Sequence, residues 1–101
     1  MSADLIARFG RRFVDSARER LAAASELDGA GAAAAARTLA LQLHSISGEA
    51  AMIGVAEISQ QARRAMGVAR QVEAGAAPAA DCAAELARLH QLLDELDRSL
   101  A

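Results

Sequence analysis

Apolar residues recur at every third or fourth position through four successive stretches of this chain. A period near 3.6 residues confines each stretch to a helix that hides one stripe of its surface. The first stripe is Leu5, Phe9, Phe13, Ala17, Leu21 and Ala24. Asp28-Gly29-Ala30-Gly31 then interrupts the pattern, as glycines at a helix end do. The second stripe runs through Ala36, Leu39, Leu43, Ile46, Ala50 and Ile53, and Gly54 ends or bends that helix. The third carries Ile58, Ala62, Ala65, Ala69 and Val72 and stops near Gly75-Ala76-Ala77-Pro78. Proline suits a first helical turn, so Pro78 or Asp81 marks the next start. The fourth stripe, a heptad pattern, is Cys82, Leu86, Leu89, Leu93, Leu96 and Leu100. Short connections favour antiparallel neighbours, so the expected fold is all-α, an antiparallel up-down four-helix bundle forming one domain over residues 1–101.

Composition agrees with that reading. Of 101 residues, 53% are apolar, and most of these are alanine, the best helix former. The run Ala32 to Ala36 reads as a helical tract. A core must then be built by Leu, Ile and Val, helped by Phe9, Phe13 and Met66. The net charge of -2 comes without a basic block, which argues against a nucleic-acid surface. Every basic residue other than histidine is arginine; there is no lysine. Neither a signal-peptide pattern nor a run of membrane-spanning length is present, so a soluble, cytoplasmic protein without membrane contact is expected.

Several residues that might suggest chemistry are better read as structure. A single cysteine, Cys82, excludes an internal disulfide and falls on a core stripe. His90 has no second His or Cys at ligand spacing, so no metal site is expected. Gly29 and Gly31 follow no strand and make no nucleotide fingerprint. The leucine heptad is explained by packing inside the bundle, and a monomer is expected.

Two residues of the second helix stand outside its stripe. His44 lies about 100° around the helix from Leu43, in a column with Arg37, Leu41, Gly48 and Ala51. Gly48 sits in the helix interior, where glycine costs about 1 kcal/mol relative to alanine. Side chains on a helix lean toward its N-terminus, so anything larger at 48 would lean over the imidazole. Spacing alone leaves two readings open. Gly48 permits close helix packing beside a merely solvated histidine, or it keeps the ring open to another protein.

Residues 40 to 54, ALQLHSISGEAAMIG, resemble the phosphoacceptor motif of histidine phosphotransfer domains: histidine, two residues, lysine, glycine, and a second glycine six residues later. His44, Gly48 and Gly54 fall in that register, with apolar Leu43 and Ile46 at positions the family buries. The string His44-Ser45-Ile46-Ser47-Gly48 is particularly similar to the phosphotransfer domain of chemotaxis histidine kinases. The segment GVAEISQQARRAMGVARQVEAG also matches the family's usual run of apolar, small and arginine residues. The motif covers about a third of the chain, and the four-helix pattern extends the match to nearly all of it.

The resemblance implies that His44 takes a phosphoryl group from a histidine kinase or an aspartyl-phosphate receiver and passes it to a receiver aspartate. A neutral imidazole keeps a lone pair for the attack. Such a domain is a relay substrate and not an independent enzyme; it holds no cofactor, and Mg²⁺ belongs to the partner receiver. The docking surface should surround His44. Leu41 is a candidate contact, and Arg37, Ser47, Gly48, Ala51, Arg63 and Arg70 are candidates for its rim or for the phosphoryl environment. Glu49 reads as surface.

Two departures from the family pattern bear on the chemistry. Ser47 stands where the family has the lysine that sits near the phosphoryl oxygens; Arg63 and Arg64 are the candidate replacements, since a guanidinium pairs well with phosphate. Met66 stands where many relatives carry a Glu or Gln that hydrogen-bonds the second ring nitrogen. These departures support an alternative, a degenerate helical module that binds a kinase or receiver without being phosphorylated. A plain helical oligomerisation domain is the third reading.

Overall fold

The computed structural model describes residues 2–22 and 31–101, with the side chain of Ser2 left out. Four helices account for nearly all of these residues: α1 (Ser2–Arg20), α2 (Ala32–Ile53), α3 (Ala56–Glu73) and α4 (Ala79–Leu100). They close a ring in which α2 packs on α3, α3 on α4, and α1 on both α2 and α4. Each neighbouring pair is antiparallel, giving the up-down bundle expected from the periodicity.

The chain reverses where its glycines permit. Gly54 takes φ 86, a left-handed conformation that costs glycine nothing, and its N–H reaches the Ala50 and Ala51 carbonyls. The N–H of Val55 also returns to the Ala50 carbonyl at 3.0 Å, which completes the cap and turns the chain directly into α3. Gly75, at φ 76, performs the corresponding turn after α3. Pro78 is the residue just before α4, with an extended backbone. Gly31 precedes α2, and the alanine run from Ala32 is helical as expected. The expectations for Ala24, Asp28, Gly29 and Ala30 concern positions outside the described residues.

Every member of the expected α2 and α3 stripes is buried. Leu39, Leu43, Ile46, Leu89 and Leu93 are the largest fully buried side chains. Between them lie buried alanines, among them Ala36, Ala40, Ala50, Ala62, Ala65 and Ala69. Small side chains let helix axes approach toward the short end of the usual 8–10 Å range, and α2 and α3 share the most extensive interface of the bundle.

Three expectations about the core need correction. Phe9 is 38% exposed, because it lines the open cleft between α1 and α2, where the Arg8 guanidinium lies 5.4 Å from its ring centre. Leu96 and Leu100, at the C-terminal end of α4, are partly buried. Leu92, outside the expected heptad, is buried. On the outer side, Arg18 pairs with Asp94 at 2.8 Å and Asp97 at 3.3 Å, and Arg11 also pairs with Asp97. These pairs are open to water and screened by it, so they add little to stability. None of the helices is long and apolar enough to cross a membrane, among the described residues.

Candidate functional site

Helix α2 is 22 residues long, and its ends are fixed by α1 and α3. On one flank, Arg20 of α1 donates to the Gln42 side chain at 2.8 Å and lies 3.3 Å from the Glu49 carboxylate. Glu49 is therefore an ion-pair partner of α1. On the other flank, the buried Ser59 hydroxyl of α3 donates to the Ser47 carbonyl at 3.0 Å. Between these flanks lies the open face of α2, and His44 stands exposed on it, midway along the helix.

The column predicted around His44 is intact: Arg37, Leu41, Gly48 and Ala51 are all exposed beside it. A Cβ placed on Gly48 would meet nothing within 4 Å. The glycine is thus not there to admit a neighbouring helix, and the packing alternative left open by the sequence is removed. What remains is a bare turn immediately C-terminal to the imidazole.

Ser47 departs from expectation. It is 8% exposed and not on the rim. Three residues past His44 the helix has turned about 300°, which swings position 47 back by about 60° toward α3. The position of the family lysine is consequently turned into the α2–α3 seam. Met66 is half-buried against the core.

The α3 arginines separate into distinct environments. Arg63 lies on the α2 side, its guanidinium 3.5 Å from the Ser59 hydroxyl. Arg64 is turned the other way, into the groove between α3 and α4 with Gln61 and Arg88, and so does not join the surroundings of His44. Arg70 is exposed two turns beyond Arg63. Arg37 reaches Glu73 at 4.0 Å.

Leu41, a candidate contact from the sequence, is 63% exposed as that role requires; Met52, which sequence reasoning missed, is 77% exposed. Met52 stands one turn past Gly48 and, with Phe9, Phe13 and Ile53, lines a shallow cleft of about 260 Å³ between α1 and α2. The spacing 41, 44, 48, 52 was available as a signal, since it continues one helical column. Elsewhere, His90 is exposed on α4. Cys82 is buried, and that burial pushes its thiol above the ordinary range.

The site thus consists of an exposed histidine midway along a bundled helix, with an open glycine turn behind it. The chain belongs to the Hpt domain family, whose model matches residues 9–99. Membership gives it a histidine phosphotransfer role in a phosphorelay, as a carrier acting with kinases and receiver domains. No curated protein and no solved structure matches the chain.

Proposed function

We propose that His44 accepts a phosphoryl group from a histidine kinase or a phosphorylated receiver and delivers it to the aspartate of a response-regulator receiver domain. The observation that carries this reading is the exposed imidazole beside an open turn at Gly48, on the α2 face that no other helix covers. Phosphoryl transfer depends mainly on positioning and charge stabilisation. A carrier can therefore present its nitrogen and leave Mg²⁺ and the catalytic groups to its partner. Leu41, Met52 and Phe9 offer an apolar contact area around that nitrogen, and Ala51 a small, flat one. Exposed apolar groups gathered on one face mark interaction sites.

A second reading draws on Ser47 and Met66: a module that occupies a kinase or receiver without accepting phosphate. Incubation with a phosphorylated kinase or receiver separates the two. Carriage predicts an acid-labile, base-stable label that disappears in His44→Gln. Undiminished binding without label supports the second reading and rejects the first.

A further inference from the structure

A phosphoryl group on His44 brings about two negative charges to a face of α2 that carries no lysine, so the nearest unengaged cation determines how well they are tolerated. Several of the described arginines are already engaged or turned elsewhere. Arg11 and Arg18 are held by Asp94 and Asp97, and Arg20 by Glu49. Arg37 reaches Glu73, and Arg64 lies in the α3–α4 groove beside Arg88. Arg63 and Arg70 enter no ion pair among the described residues, and the Arg63 guanidinium lies 3.5 Å from the Ser59 hydroxyl.

That contact places it. The Ser59 hydroxyl donates to the Ser47 carbonyl, one turn from His44 on α2. The antiparallel register between α2 and α3 is fixed on either side of the histidine by this bond and by the Arg37–Glu73 pair. Arg63 lies one turn beyond Ser59 and about 40° further toward solvent; His44 lies about 60° toward solvent from Ser47. Both therefore stand on the outer lip of the same seam, at neighbouring levels. Arg70 is about 10 Å further along α3, level with Arg37 and Glu73.

A second feature points to the same residue. Gly67, in the interior of α3, is exposed, and a Cβ there would meet nothing within 4 Å. A side chain at 67 would lean over the turn that carries Arg63. Gly67 is to the guanidinium what Gly48 is to the imidazole, an open turn in a chain otherwise rich in alanine.

We infer that Arg63, held at the α2–α3 seam by Ser59, is the residue of this chain that pairs with the phosphoryl oxygens on His44. This rests on the proposal that His44 is the acceptor. A guanidinium offers two N–H groups in the geometry of two phosphoryl oxygens, and it cannot lose its charge.

The test uses phosphoramidate, a small phosphodonor, with the whole chain and no partner protein. The ring nitrogen attacks phosphorus, the donor's P–N bond breaks, and its electron pair leaves with ammonia; the imidazole keeps its other N–H. Wild type, Arg63→Gln, Arg63→Lys, Arg64→Gln and His44→Gln are compared by intact mass and by ³¹P NMR across pH. An exposed charge pair contributes up to about 1 kcal/mol, so Arg63→Gln should be phosphorylated about fivefold more slowly. The second ionisation of its phosphoryl group should also move to higher pH, because the cation favouring the dianion is gone. Arg63→Lys should recover most of both effects, and Arg64→Gln should match wild type.

If Arg63→Gln matches wild type in rate and titration, or Arg64→Gln is impaired as much, the inference fails while the carrier proposal stands. If wild type gains no phosphoryl group, or His44→Gln gains as much, the acceptor assignment fails and takes the inference with it.

Discussion

Replacing Gly48 separates what the fold wants at that position from what the relay wants. Glycine in a helix interior is less favourable than alanine by about 1 kcal/mol. The new Cβ meets nothing within 4 Å, so Gly48→Ala carries no steric penalty and buries no new surface. The full propensity difference should therefore appear as stability. For a domain of this size, about 1 kcal/mol corresponds to about 4–8 °C in Tm. Gly67→Ala should behave alike, for the same reason. Gly10→Ala is the internal comparison: its Cβ would stand 3.1 and 3.3 Å from the two Leu100 methyls, so displacement of that side chain offsets part of the gain. Gly48→Leu should also fold at least as stably as wild type, since leucine is a strong helix former. Its side chain would lean toward His44, however, and transfer from a protein donor should slow by about tenfold, the equivalent of 1.4 kcal/mol lost at a docking contact. Thermal melts and single-turnover transfer from a phosphorylated receiver measure the two effects. A Gly48→Ala variant less stable than wild type, or a folded Gly48→Leu variant that transfers normally, refutes the reasoning.

Further predictions concern the helix seams. Met66→Glu should raise the rate of His44 phosphorylation by supplying an acceptor for the second ring nitrogen; an unchanged rate in a folded variant shows that this group is not limiting. Gln61 is 8% exposed and donates to both the Glu85 carbonyl at 2.9 Å and its carboxylate at 2.8 Å. Gln61→Ala should accordingly lower the urea-unfolding free energy by about 1–2 kcal/mol, and a change within error would show the α3–α4 link to be dispensable. Cys82 should resist thiol reagents in the folded protein, because burial raises its pKa and withholds the thiolate. Stability should also fall as pH rises through the ordinary thiol range, since the unfolded chain loses that proton first. Rapid native-state labelling, or pH-independent melts matching those of Cys82→Ala, would contradict this.

The α2 stripe, the α3 stripe and the Gly54 turn were legible because each is local: a period along one helix or a backbone conformation at one residue. The exposure of His44 followed from the same local geometry. Phe9 was not legible, since its periodicity suits a core position and its exposure depends on the cleft left between α1 and α2. The different surroundings of Arg63 and Arg64 were equally out of reach. Adjacent in sequence, they point to opposite seams, and separating them requires the register of α3 against α2 and α4. Ser59 and Gln61 escaped notice because polar side chains on a buried arc break the apolar pattern. Their bonds to Ser47 and Glu85 are what allow the burial.

The alanine-lined seam between α2 and α3 has a mechanical consequence. Buried alanines leave few long side chains there to change rotamer, so the helix bearing His44 rests on a stiff bed. Helix α1 makes the smaller interfaces of the bundle, and its arginine–carboxylate pairs to α4 are open to water and weaken as salt screens them. Compliance should therefore lie in α1, one wall of the Phe9–Met52 cleft. A protein docking at that cleft would meet the movable helix and leave the position of His44 undisturbed.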